Sequence, residues 1–142
     1  MFKNLLLFLV IFSFVFSDEW HLCDSSDDYE LTVTSVNITP DPPHVGDSVT
    51  ASIDGSLSKV INGGTVKILI KYNGITILNT SAPLCSDPDD FECPHPSGKF
   101  RIKKTIQIPE FTPAGKYSGI ISINDNNSKK VTCVDFDIPV VN

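Results

Sequence analysis

The sequence predicts an all-β fold, a sandwich or barrel of about seven short strands. Apolar and polar residues alternate over short runs, and Pro, Gly, Asn and Asp cut the chain between them. Nothing in the chain reads as a long amphipathic helix.

The runs are Leu31–Thr39, Ser48–Asp54, Thr65–Tyr72, Thr76–Asn79, Phe100–Ile108, Lys116–Asn124 and Val131–Val141. Pro40-Asp-Pro-Pro43 separates the first two, and Asn62-Gly-Gly64 ends the gap before the third. In the third run Val66, Ile68 and Ile70 share one face, while Thr65, Lys67, Leu69 and Lys71 share the other. Asn73-Gly74, between two apolar runs, is a two-residue hairpin signal leading into the fourth. Ser97-Gly98 precedes the fifth run. There Phe100, Ile102, Ile106 and Ile108 point one way, with Lys104 breaking the pattern. Lys99, Arg101, Lys103, Thr105 and Gln107 point the other way. Pro113-Ala-Gly115 leads into the sixth, where Tyr117, Gly119, Ile121 and Ile123 oppose Ser118, Ile120 and Ser122. Asp125-Asn-Asn127 leads into the last. Val131 and Cys133 there change parity with Val134, Phe136, Ile138 and Val140, which predicts a bulge near Val134.

Residues 1–17 read as a removed secretory signal: Lys3, an apolar run from Leu5 to Phe16, and small residues at Val15 and Ser17. The remaining domain, residues 18–142, carries 10 basic against 17 acidic side chains, a net charge of −7. Such a chain is a poor partner for nucleic acid. The secretory route makes disulfides expected among Cys23, Cys85, Cys93 and Cys133. Asn37-Ile-Thr39, Asn79-Thr-Ser81 and Asn126-Asn-Ser128 are N-glycosylation acceptors and favour exposed positions.

Four cysteines allow three pairings. A Cys85–Cys93 bridge would close a short loop, worth about 2.6 kcal/mol in the chain-entropy model; Cys23–Cys133 would close most of the domain, worth about 4.8 kcal/mol. The other pairings would drag the loop cysteines to the chain ends. No C-x-x-C and no close histidine pair favours zinc. Asp87, Asp89, Asp90 and Glu92 fail the EF-hand pattern and read as a solvated loop. His21, His44 and His95 are scattered, and no G-x-S-x-G accompanies them. No enzyme, metal or cofactor is expected. Lys99, Arg101 and Lys103 form an outward basic stripe, read as a solvated edge before a lipid or membrane contact. Phe111, on the Pro109–Gly115 loop, reads equally as core or as the lip of a pocket. Val60 and Ile61, beside Asn62-Gly-Gly64, read the same way.

Several segments, in order, resemble the MD-2-related lipid-recognition (ML) family, and within it the phosphatidylglycerol/phosphatidylinositol transfer proteins. They are Cys23 with Tyr29-Glu-Leu-Thr-Val33, Ile38-Thr-Pro-Asp-Pro-Pro43 with Gly46, and Gly63-Gly-Thr-Val-Lys-Ile68. Tyr72-Asn-Gly-Ile75, Leu84-Cys85, Cys93-Pro94, Ile108-Pro109, Pro113-Ala-Gly-Lys-Tyr117 and Val131-Thr-Cys133 complete the set. The resemblance implies an immunoglobulin-like β-sandwich holding a lipid between its sheets. It also implies the pairings Cys23–Cys133 and Cys85–Cys93.

The expectation is therefore a carrier in the secretory pathway, secreted or in the endosomal or lysosomal lumen, that moves phospholipid between membranes. It is expected to be a monomer that touches membranes transiently. The alternatives are a sterol carrier of the same fold and a lipid-recognition or adhesion module. The expected cavity lining is Val66, Ile68, Ile70, Phe100, Ile102, Ile106, Tyr117, Ile121 and Ile123. The expected mouth is Val60, Ile61, Phe111 and Pro113.

Overall fold

A computed structural model describes residues 20–86 and 91–142. Residues 1–17, expected to be a secretory signal, and the Asp87, Asp89 and Asp90 part of the acidic loop lie outside the described residues. The strands are β1 (Trp20–Leu22), β2 (Leu31–Thr39), β3 (Ser48–Leu57), β4 (Gly64–Tyr72), β5 (Ile75–Pro83), β6 (Gly98–Gln107), β7 (Gly115–Asp125) and β8 (Lys130–Val140). The described residues thus hold eight strands rather than seven. The extra one, β1, has three residues, too few to show an alternating pattern.

The strands form two antiparallel sheets, β1-β8-β7-β4-β5 and β2-β3-β6. The sheets approach each other most closely along β2 and β8. Successive strands from β2 to β8 reverse direction, so the connections alternate between two ends of the sandwich. The β3–β4, β5–β6 and β7–β8 connections share one end. The β2–β3, β4–β5 and β6–β7 connections share the other. The β4–β5 turn is Asn73-Gly74, with φ of 49° and 78°, the left-handed pair that a two-residue hairpin requires.

The first end is closed. Leu31, Ile53, Leu57, Ile61, Val66, Leu84, Phe100, Ile123, Val131 and Val134 pack there as a fully buried core. Phe91 and His95 stack in parallel at 4.8 Å, and Phe91 meets Phe100 at 5.4 Å. Both disulfides belong to this end. Cys85 and Cys93 close the β5–β6 loop. Cys23 joins Cys133 near the start of β8, and the Cys23 N–H donates to the Cys133 carbonyl at 3.0 Å. Their Cα separations of 5.7 and 5.4 Å suit the bridge.

The β8 irregularity lies earlier than Val134. Ile123 pairs with Thr132 and Asn124 with Lys130, so Val131 is the extra residue. The bulge lets Val131 and Thr132 both turn inward, and Thr132, Val134 and Phe136 then share the core face. Asn37, Asn79 and Asn126 are all exposed, on β2, on β5 and in the β7–β8 turn. On the outer face of β6, Arg101 is engaged by Asp54 of β3, and hydrogen bonding to that guanidinium holds the Asp54 carboxyl below its usual range.

Glu30 is buried at the closed end, where its Oε1 has no hydrogen-bond partner. Burial, followed by its hydrogen bond with Asp125, raises its pKa. Burial pushes Asp125 upward too. The Lys129 and Asn127 N–H groups and the Glu30 carboxyl outweigh it and hold Asp125 below its ordinary value.

Two outcomes are expected. Replacing Cys23 and Cys133 together by Ala should cost about 4.8 kcal/mol in the chain-entropy limit, against about 2.6 kcal/mol for Cys85 and Cys93, read from urea denaturation. Glu30 has a folded pKa above its unfolded one, so its contribution is full below the unfolded value and is lost as pH rises through the folded value. Glu30→Gln should therefore gain stability over the parent at neutral pH, and the gain should shrink on acidification. Thermal midpoints at neutral and mildly acidic pH would read this.

Candidate functional site

Towards the second end the sheets enclose a cavity of about 580 Å³. That volume lies within the range of about 300–1,000 Å³ common for sites that hold small molecules. One wall comes from Ile68, Ile70 and Tyr72 of β4, Tyr117 and Ile121 of β7, and Phe136, Ile138 and Val140 of β8. The opposite wall is Ile38 of β2, Val49 and Ala51 of β3, and Lys104 and Ile106 of β6. Ile77 and Leu78 of β5 and the loop residues Ile108, Pro109, Phe111, Thr112 and Pro113 surround the opening.

The hollow follows from unequal sheet widths and uneven contact. The five-stranded sheet overhangs the three-stranded one, so β5 lies at an edge with every residue exposed. Sandwich sheets normally interdigitate side chains across about 10 Å. Here they do so at the closed end, and they separate toward the other. Gly119 faces inward on β7, and a Cβ there would lie 2.7 Å from the Phe136 ring. Its bare backbone lets that ring lie flat against the sheet.

The mouth is shaped by aromatic residues and proline. Tyr72 and Tyr117, paired across β4 and β7, stack at 4.7 Å. The Tyr117 hydroxyl donates to the Pro113 carbonyl at 2.7 Å, tying β7 to the β6–β7 loop. Burial, then the neighbouring Tyr72, pushes the Tyr117 phenol upward, so it stays a neutral donor. The rim is apolar and exposed. Phe111 is 88% exposed, and Ile75 and Ile77 are 68% and 54% exposed on the adjoining hairpin strand.

Of the residues expected to line a cavity, the structure brings together Ile68, Ile70, Ile106, Tyr117 and Ile121. Val66, Phe100, Ile102 and Ile123 face inward on the same strands but pack in the closed core. They lie one or more inward steps nearer the stapled end, where the sheets touch. Of the expected mouth, Phe111 and Pro113 are at the opening. Val60 and Ile61 are not, because the β3–β4 connection lies at the closed end. Ile61 is buried there and exchanges backbone hydrogen bonds with His95 at 2.9 and 2.8 Å, while Val60 faces solvent. Phe136, Ile138, Val140, Ile38, Val49 and Ala51 line the cavity without having been expected to. Among the described residues no cluster of His, Cys, Asp and Glu is arranged to hold a metal ion.

Fold and cavity define a hollow, immunoglobulin-like β-sandwich with room for an apolar guest between its sheets. The ML-domain family model matches residues 17–140, and the chain belongs to that family. A Dictyostelium discoideum protein, provisionally named a phosphatidylglycerol/phosphatidylinositol transfer protein, is 34% identical over 92% of each chain. The Pyricularia oryzae phosphatidylglycerol/phosphatidylinositol transfer protein is 32% identical over 82% of this chain and 68% of its own. Among solved structures, a Niemann-Pick type C2 protein from Japanese carpenter ant superposes with a TM-score of 0.66 at 18% identity, covering 86% of this chain and 98% of that one. Chicken MD-1 complexed with lipid IVa gives 0.58 at 19% identity, covering 84% of this chain and 86% of that one. These two likenesses concern the fold.

Position along the strand separates two isoleucines on one face of β7. Ile121→Trp should reduce uptake of a fluorescent lipid probe with little change in thermal midpoint, because the added ring enters the hollow. Ile123→Trp should instead cost stability by overpacking, about 1–3 kcal/mol or more. Equal loss of stability in both would mean that Ile121 sits in a filled core.

Proposed function

We propose that this chain is a lipid carrier working outside the cell or in a lumen, which takes phospholipid of the phosphatidylglycerol/phosphatidylinositol type from one membrane and releases it to another. The observation that carries the reading is the cavity itself: walled by apolar side chains except at Lys104, open at one end, and rimmed by exposed apolar side chains. The names of the sequence relatives support the lipid class. The two disulfides support an oxidising compartment.

The physical cycle needs no bond-making. Each acyl CH₂ that leaves water for the cavity gains about 0.8 kcal/mol. The same gain is available in a bilayer, so transfer between the two is nearly balanced and therefore reversible. Phe111, Ile75 and Ile77 give the mouth a surface that can enter the head-group region, letting chains pass without crossing water. The protein acts as a monomer in this scheme, because a partner on that rim would block the opening.

Native mass spectrometry of the purified protein, with transfer of fluorescent phospholipid between vesicles, tests the reading. A co-purifying phospholipid and accelerated transfer are expected. A co-purifying sterol would replace phospholipid as the cargo. A protein that carries no lipid and moves none would overturn the carrier. Phe111→Asp should slow transfer about tenfold or more while leaving the fold intact, because it places a charge on a side chain that only the membrane would bury.

A further inference from the structure

We propose that Asn79 carries an N-linked glycan that covers the free edge of β5 and keeps a second copy of this chain from pairing there. The inference goes beyond the carrier reading and rests only on its lumenal or extracellular placement.

An open sheet edge invites pairing with another chain, and short strands, edge cations and bulges all discourage it. β1, at one edge of the larger sheet, has only three residues. β6, at one edge of the smaller sheet, carries Lys99, Arg101 and Lys103 on its outer face. β2, at the other, is interrupted between Val33 and Ser35 and lies where the two sheets approach each other. β5 has less protection than these. Among the described residues it pairs with β4 on one side and with no strand on the other. All of its residues, Ile75–Pro83, are exposed, and none is charged. Its one irregularity falls at Ile77, beside the turn. From Leu78 to Pro83 the register with β4 is unbroken, and Pro83 removes an N–H only at the far end. That stretch has the length of an ordinary strand, about five to six residues, and can receive another.

The acceptor Asn79-Thr-Ser81 lies within this stretch. Leu78 and its register partner Ile70 line the cavity. Alternation therefore places Asn79 on the opposite face, beside Leu69 and between Lys67 and Lys71 of β4. A glycan there stands clear of the cavity. A further strand would lie about 4.8 Å from β5, and bulky, hydrated sugars rooted at Asn79 overhang that place. The other acceptors do not border this edge: Asn37 is on β2 and Asn126 is in the β7–β8 turn. Attachment joins the Asn79 amide nitrogen to the anomeric carbon of an oligosaccharide carried on a polyprenyl pyrophosphate. The carbon–oxygen bond to the pyrophosphate breaks, the pyrophosphate leaves with the electron pair, and the amide loses one proton. The covered edge matters to the mouth. A second copy paired along β5 would stand beside Ile75 and Ile77, the exposed apolar side chains of the rim.

The test uses the full chain expressed through the secretory pathway of a eukaryotic cell. Peptide mass spectrometry should find a glycan on Asn79, and light scattering should find a monomer over a concentration series. Asn79→Gln and Ser81→Ala both remove the acceptor, the second with Asn79 intact. Each should raise the dimer association constant about tenfold or more and keep the thermal midpoint. If one fails to fold, the other reads the same loss. Asn79→Lys exchanges the glycan for an edge charge and should stay monomeric, as should Asn126→Gln. An unmodified Asn79 in a chain glycosylated at Asn126, or acceptor-less variants that stay monomeric, overturns the shield and leaves the lumenal placement standing. Asn79→Lys that pairs as Asn79→Gln does also overturns it. An Asn126→Gln variant that associates equally assigns the effect to sugar-borne solubility and overturns the role of the edge. A chain with none of the three asparagines modified overturns the proposal, and free thiols in that chain overturn the lumenal placement with it.

Discussion

Both disulfides, the Phe91–His95 stack and the fully buried Phe100, Ile53, Ile61 and Ile123 lie at one end of the sandwich, and that one-sided packing governs the interior. There the sheets pack against each other around Phe100, Ile61 and Phe91, with Cys85 and Cys93 against the same core, while Cys23–Cys133 ties β1 to β8 within the five-stranded sheet. At the other end the connections are a two-residue turn and longer Pro-containing loops, and no disulfide joins the strands there. A sandwich fastened at both ends would bring its walls into contact. Fastened at one end, it can be a solid core for half its length and a lined hollow for the other half.

That division sets how the site residues work. The closed half needs volume, and Phe100, Ile53 and Ile123 supply it. The open half needs apolar walls that stay apart, and the Tyr72–Tyr117 stack with the Tyr117–Pro113 hydrogen bond braces its entrance. The same strands serve both halves. Tyr117 and Ile123 are on one face of β7, yet one stands at the mouth and the other is sealed in the core.

Alternation gave the face but not the depth, which is why the strands and inward residues were legible while the cavity was legible only in part. Period two cannot tell Ile68 from Val66 or Ile121 from Ile123, since both members of each pair point inward. Depth depends on where the sheets diverge, a property of pairs of strands distant in sequence. A simpler signal was available for the loops. In an antiparallel series, alternate connections share an end. The Asn73-Gly74 turn and the Phe111 loop are two connections apart and belong together, whereas Val60 and Ile61 belong with the cysteine loop. The three-residue β1 left no pattern to read. Lys104 did leave one: a cation in an otherwise apolar row, visible as an exception before any wall was known.

On the proposed reading, the cargo has a structural part to play as well. Half of the interior is completed only when something apolar fills it, so the loaded form gains packing that the empty form lacks. Anything that binds the native state and not the unfolded chain deepens the native well by mass action. The carrier's durability then becomes a function of its traffic. Between donor and acceptor it is held together partly by what it carries. After delivery it is at its least stable, and that interval is when proteolysis would find it most readily.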